Sequence, residues 1–318
     1  MRPKLLTKTC LLAGIGLQLF QAASAQTEQD AIMMNKNQFC SGFLYNHGSW
    51  DEYWEGTLKR NNLNMGTVTT QSVMFMANYG ITDNLNVMVG APYVWTNASA
   101  GTLHGLKGIQ DLSLTVKWRG FNHRFNDKNK LALYVMGGFS TPLQNYVIDF
   151  LPLSIGLGST QLTGRLMADY LYKRFSFTAW GSYNLRSNVT LDRPAYFDTE
   201  MHNTDEVDMP NTTNFQLRAG YRGKYLIAEA LYTQMNTLGG FDITRNNMPF
   251  PSNQMNSSAL GVSVKYTIPA LTNLSVLGGG NYTLAGRNVG QATNFYGGIF
   301  YALYTKKSSR KPVSANIQ

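Results

Sequence analysis

Charge is scarce in this sequence. Only 14% of its 318 residues are Asp, Glu, Lys or Arg, against roughly 25% in an ordinary soluble domain, so the usual charged surface is missing. Long apolar runs are scarce too. After residue 25 nothing approaches the ~18 consecutive apolar residues of a membrane helix, and a mean hydropathy of -0.22 argues against a polytopic helical membrane protein. Disorder is excluded by the 43% hydrophobic content together with the low charge, the reverse of what keeps a chain unfolded. Cysteine is limited to Cys10 and Cys40. Gly (30), Tyr (18) and Phe (16) are plentiful, and together they suit an all-β protein.

Arg2, Lys4 and Lys8 precede an apolar run from Cys10 to Phe20 and the small residues Ala23-Ser24-Ala25. That is the layout of a secretory signal with cleavage predicted before Gln26, and the run is too short to anchor the chain. Residues 1–25 therefore read as a signal peptide and 26–38 as a periplasmic N-terminal lead. Removing the leader lowers the formal charge from +9 to +6, because it holds three basic residues and no acidic one. The remaining basic residues are dispersed until Lys306-Lys307 and Arg310-Lys311, so nucleic acid is not an expected partner. Cys40 alone remains after cleavage, and no internal disulfide is possible.

The mature chain repeats one pattern. From Asp111 to Arg119, Leu112, Leu114, Val116 and Trp118 point one way, while Asp111, Ser113, Thr115, Lys117 and Arg119 point the other. Phe215 to Tyr221 and Leu260 to Tyr266 follow the same rule. Strands are read at 39–48, 66–79, 84–96, 108–119, 130–141, 159–171, 174–187, 213–223, 225–236, 255–267, 273–286 and 293–304. Their length, about 10 to 14 residues, exceeds that of soluble strands and suits a tilted membrane-spanning strand. Short connections such as Ile81-Thr82-Asp83 and Tyr172-Lys173 alternate with long ones at 49–65, 97–107, 142–158, 188–212 and 237–254, with a middling one at 120–129. The oily faces carry Tyr79, Tyr93, Trp95, Trp118, Tyr170, Phe175 and Tyr266 near strand ends, where amphipathic rings meet lipid headgroups.

The predicted fold is all-β: a transmembrane antiparallel β-barrel of about twelve strands over 39–304, with a C-terminal tail over 305–318. Its expected place is the outer membrane of a Gram-negative bacterium, among outer-membrane lipid and lipopolysaccharide. The sequence leaves the oligomeric state open. Pro92 falls within a strand and implies a local bulge or break, since it has no N–H to donate.

From about Gly66 to Tyr304 the chain resembles the outer-membrane channels associated with meta-pathway phenol degradation, a broad family of hydrophobic-solute transporters. The likeness lies in Tyr79-Gly80-Ile81-Thr82-Asp83-Asn84-Leu85 leading into Ala91-Pro92-Tyr93, and in Gly108-Ile109-Gln110-Asp111-Leu112-Ser113-Leu114 ahead of Lys117-Trp118-Arg119. Pro152-Leu153-Ser154-Ile155-Gly156-Leu157-Gly158 continues it. The chain departs from the family pattern at Gln110, where a Gly is usual, and at Thr141-Pro142-Leu143, where Pro-Thr-Gly is usual. The resemblance implies a passive or facilitated pore.

With the oily faces on lipid, the opposite parity faces the lumen. Arg165, Asp169, Arg218, Arg222, Glu229, Lys265, Asp111, Lys117 and Arg186 then point inward, since an outward Arg or Lys at the midplane would cost roughly 2 to 4 kcal/mol. Arg218 and Glu229 stand on consecutive strands and are expected to pair. Met74, Met76, Met88, Tyr134, Met136, Met167, Trp180, Ile227 and Leu231 share the inward parity. Adaptable Met and aromatic surface suits a greasy solute, and equally suits plain filling of the barrel.

The expected function is facilitated diffusion of small hydrophobic or aromatic solutes. The rival is a sealed structural or surface-interaction barrel without transport. No enzymatic activity and no cofactor are expected. His47 and Ser49 share a strand face, but no third group orients them. The four histidines have no zinc-ligand spacing.

Overall fold

The computed structural model describes residues 26–244 and 249–305. The expected signal peptide, and the expected tail beyond Thr305, lie outside the described residues.

Twelve long strands form the barrel: β1 (Gln38–Trp50), β2 (Val68–Thr82), β3 (Leu85–Ala98), β4 (Asp111–Arg124), β5 (Asn129–Pro142), β6 (Gln161–Tyr172), β7 (Phe175–Arg186), β8 (Thr212–Arg222), β9 (Leu226–Thr237), β10 (Asn256–Thr267), β11 (Leu274–Arg287) and β12 (Thr293–Tyr304). Neighbours pair antiparallel, and β12 pairs with β1 from Gln38↔Tyr304 to Ser49↔Thr293, so the sheet closes on itself. Closure leaves no strand edge with orphaned N–H and C=O groups, which hydrocarbon could not satisfy. The tight turns between β2 and β3 and between β6 and β7 stand at one rim, and the long connections stand at the other.

Two details differ from the sequence reading. The connection expected over 120–129 is shorter, because a bulge between Arg119 and Phe121 absorbs Gly120 and pairing resumes as far as Arg124↔Lys130. The bulge shifts the parity by one residue, which hides the extension of β4 from a strict period-two search. Pro92 interrupts the neighbouring strand and leaves its own continuous. β3 pairs with β4 over Leu85–Gly90, then with the separate stretch Lys107–Ile109 over Tyr93–Trp95, skipping Ala91 and Pro92. The Pro92 carbonyl instead accepts from the Gln110 N–H at 2.9 Å.

The two faces are chemically opposite. Leu166 (67% exposed), Phe43 (59%), Val262 (57%) and Trp118 (51%) typify the outer one. An apolar belt of this extent is stable against hydrocarbon and unstable against water. His47 and Ser49 share the outward parity of Phe43 and Tyr45, so they stand on the outer wall, away from the lumen. Inward positions carry hydroxyls, amides and charges. Lys117, Asp169, Arg218, Glu229 and Lys265 are all buried, in places where an outward charge would meet lipid.

The long connections fold over their end of the barrel. Ile148, Val189, Leu191, Tyr196, Val207, Met209 and Phe250, from three different connections, make one apolar cluster there. Leu153 is fully buried, and its carbonyl accepts from the Thr96 hydroxyl at 2.6 Å. Tyr146 reaches back to donate to Asp111 Oδ1 at 2.7 Å. The segment Glu52–Glu55 pairs with Leu58–Asn61 as a small hairpin, which hangs on the β11–β12 connection through Trp54 N–H to Val289 C=O at 2.9 Å.

Leu166 sits at the middle of β6 on the lipid side. Leu166→Arg is expected to destabilise the inserted barrel by about 2 to 4 kcal/mol, and Leu166→Ala by far less. Urea titration of the protein folded into liposomes, followed by the heat-dependent shift in gel migration, measures both.

Candidate functional site

The lumen is the site. Alternation on the twelve strands aims one side chain in two inward, and the β-sheet register then stacks those side chains in rings.

The inward charges gather on one wall. Arg218 donates to Glu229 Oε2 through Nε at 3.0 Å and Nη2 at 2.7 Å, the pair expected from the sequence. Arg222 donates to Asp169 at 2.9 and 3.1 Å and reaches Glu229 at 3.3 Å. The Thr178 hydroxyl donates to Asp169 at 2.6 Å. Gln216 accepts from Trp180 Nε1 and from Arg218 Nη1, both at 3.1 Å, and passes the chain on to the Thr233 hydroxyl at 2.9 Å. Forked guanidinium–carboxylate contacts of this kind fix direction as well as charge.

The wall nonetheless has a surplus of positive charge. Among the described residues Lys117, Arg165, Arg218 and Arg222 outnumber the buried wall carboxylates Asp169 and Glu229, while Asp111 lies toward the long-loop end on Tyr146. The missing negative charge comes from a segment that the sequence reading placed in the periplasm. Residues 26–37 turn into the barrel from the short-turn rim, and Gln26, Asp30, Ala31 and Met34 are buried there. Lys117 is wholly buried; it donates to the carbonyls of Asp30 and, at 3.2 Å, of Ile32, with the Asp30 carboxylate 3.8 Å away. Arg165 donates to the Glu28 carbonyl at 3.0 Å, and Thr115 to the Glu28 carboxylate at 3.1 Å. Tyr134 donates to the Ala31 carbonyl at 2.8 Å. Asn78 donates to the Gln26 carbonyl at 2.7 Å.

The methionines have the same partner. Ile32 and Met34 pack on Cys40, Met74, Met76 and Phe300, while Ala31 and Met33 pack on Met88, Tyr134, Met136, Met167 and Trp180. An extended peptide throws alternate side chains to opposite sides, so one short segment fills both halves of the Met-lined surface. The Met set expected to line a solute path thus lies largely against the chain's own N-terminal segment. The run Ala31-Ile32-Met33-Met34, unusually apolar for a periplasmic lead, was the available sequence signal.

Between this segment and the wall that runs from β8 through β12 to β1 and β2 a cavity of about 700 Å³ remains. Arg218, Arg222, Glu229 and Lys265 line it together with Leu44, Met74, Ile227, Leu231 and Met235. A smaller space of about 200 Å³ lies beside Arg165 against β4, β5 and β6, sharing Glu28 and Ser113 with the larger one. Arg165 lies 4.2 Å from the centre of the Trp180 ring. Asp111 stands near the long-loop end, tied to Tyr146. Among the described residues no group of three or more His, Cys, Asp or Glu converges as a metal site would require.

No family model and no curated protein sequence matches the chain. Solved structures do. An outer-membrane channel from Pseudomonas putida F1 superposes with a TM-score of 0.68 at 14% identity, covering 88% of this chain and all of that one. The two chains share one fold, a closed antiparallel β-barrel. Weaker likenesses include the translocator domain of the autotransporter NalP from Neisseria meningitidis, at a TM-score of 0.45 and 11% identity over 83% of this chain and 87% of the other. A NanC porin follows at 0.41 and 9%, over 82% and 100%.

Lys117→Met removes the ammonium that holds the luminal segment and leaves Asp30 without it. Docking of the segment is expected to weaken by about 3 kcal/mol, the scale for breaking one partner of a buried charged contact. Cys40, wholly buried beneath Met34, reports the change: maleimide labels it slowly in the native protein and much faster in the variant.

Proposed function

We propose that the protein is an outer-membrane channel for facilitated diffusion of small solutes with an apolar body, aromatic ones included. The observation that carries this reading is the cavity of about 700 Å³ inside a closed barrel, where Leu44, Met74, Ile227 and Leu231 share the wall with the Arg218–Glu229 pair. A water-filled pore for sugars would not be expected to interleave Met and Leu with its charges. The apolar residues give a greasy body its contact area, and the charged ladder orients any polar end. Support for the channel role also comes from the P. putida F1 relative, whose described role is that of an outer-membrane channel.

On this reading the short-turn rim faces the periplasm and the apolar cluster of the long connections faces outward. A solute entering from outside first meets the cluster around Ile148, Tyr196 and Phe250, and then the mixed wall. Residues 26–37 narrow the inner half, so passage needs that segment to yield.

The rival reading, a sealed barrel working through its loops, makes the opposite prediction in one assay. Liposomes containing the folded protein are expected to take up small aromatic solutes faster than sugars of equal mass, and Leu231→Glu is expected to reduce that preference. Absence of uptake for every solute in the panel, with the barrel shown to be inserted, favours the sealed barrel.

A further inference from the structure

The small space beside Arg165 adjoins the large cavity at Glu28 and Ser113 and has its own chemistry. In-register residues of three adjacent strands build it: Thr115 on β4, Gly138 on β5 and Thr163 on β6. Gly138 keeps the floor open, since a Cβ there would stand 3.2 Å from the Thr163 side chain. The next inward position on β6, Arg165, lies opposite Met136. Ser113 and Ser140, also paired across β4 and β5, complete the lining.

The donors are incompletely used. Arg165 gives one Nη1 hydrogen bond to the Glu28 carbonyl, whereas its buried Nε has no partner. Its counter-charge is also indirect. Among the described residues Arg165 forms no ion pair within 4 Å, although Glu28 is close enough to interact with it electrostatically. The Glu28 carboxylate is instead held by the Thr115 hydroxyl at 3.1 Å. The space therefore offers a guanidinium with a spare donor, hydroxyls able to donate to an anion, and, in its lining, a carboxylate of the protein's own. A guanidinium fork is the side chain best matched to a planar carboxylate.

We propose that Arg165 and Thr115 bind the carboxylate of a small monocarboxylic acid, and that Glu28, which both of them already hold, is a built-in competitor for the same donors. This deepens the channel reading and rests on it for delivery of the solute. Binding moves the Thr115 hydroxyl from Glu28 to the incoming carboxylate, and the solute's apolar body lies along Met136. Because Glu28 belongs to the luminal segment, taking its place loosens one of the contacts that hold the segment in the barrel.

The Trp180 ring under Arg165 supplies a direct readout. Tryptophan fluorescence of the folded full-length protein is titrated with benzoate and, in parallel, with benzamide, its neutral counterpart of the same shape. A saturable change with benzoate that is absent with benzamide and lost in Trp180→Phe is expected. Arg165→Gln is expected to weaken benzoate by at least about tenfold, the loss of a charge-assisted hydrogen bond. Thr115→Val weakens it less, and Glu28→Gln strengthens it several-fold by removing the competing charge. Equal response to benzoate and benzamide, or an unchanged benzoate affinity in Arg165→Gln shown to be folded by its gel migration, overturns the site. A Glu28→Gln variant that binds benzoate more weakly than the native protein overturns the competitor role. Liposome uptake of neutral aromatics by the native protein separates the two readings: uptake without Trp180-dependent benzoate binding refutes the site alone, and binding without any uptake refutes the channel alone.

Discussion

Hydrocarbon on one side of every strand is the constraint from which the rest follows. It strips charge from half of the strand positions, which is why only 14% of the residues are charged, and it drives the remaining strand charges inward. Once inside, those that are buried lose their hydration, and an unpaired charge there is costly. The ladder of Arg218, Arg222, Asp169 and Glu229 answers part of that cost within the wall. Lys117 and Arg165 find no wall carboxylate within ion-pair distance among the described residues. The luminal segment, bringing Glu28 and Asp30 to the same surface, is the electrostatic completion of the barrel as much as an obstruction in it.

Strand count, closure and the inward parity of the charged residues were legible because a two-residue period survives in Asp111–Arg119, Phe215–Tyr221 and Leu260–Tyr266 without any tertiary information. The Arg218–Glu229 pair was legible for the same reason: two inward residues on adjacent strands at matching depth leave little choice of partner. The extension of β4 was not, since a single bulge at Gly120 inverts the parity beyond it. The position of residues 26–37 was not either. Many of their contacts are to residues far away in the chain, from Asn78, Thr115 and Arg165 to Tyr304, and they form no regular element whose period could be read.

The Met residues show how one composition serves two ends. Unbranched, flexible side chains conform to Ile32, Met33 and Met34 in the present arrangement, and the same adaptability would let them conform to a passing solute. Rigid β-branched residues in those places would fit the segment or the solute and not both. A surface that has to close on its own chain and also on a foreign molecule is better built from soft parts.

The N-terminal segment and the seam of the barrel share their anchors. Asn35 donates to the Tyr304 hydroxyl at 3.0 Å, Thr305 N–H donates to the Asn37 carbonyl at 2.9 Å, and Gln38 stands opposite Tyr304 as the first pair of the closing ladder. The first and last strands therefore meet at the point where the chain leaves the lumen. The contacts that seat the segment and the first pair of the closing ladder thus stand side by side, and whatever loosens one removes support from the other.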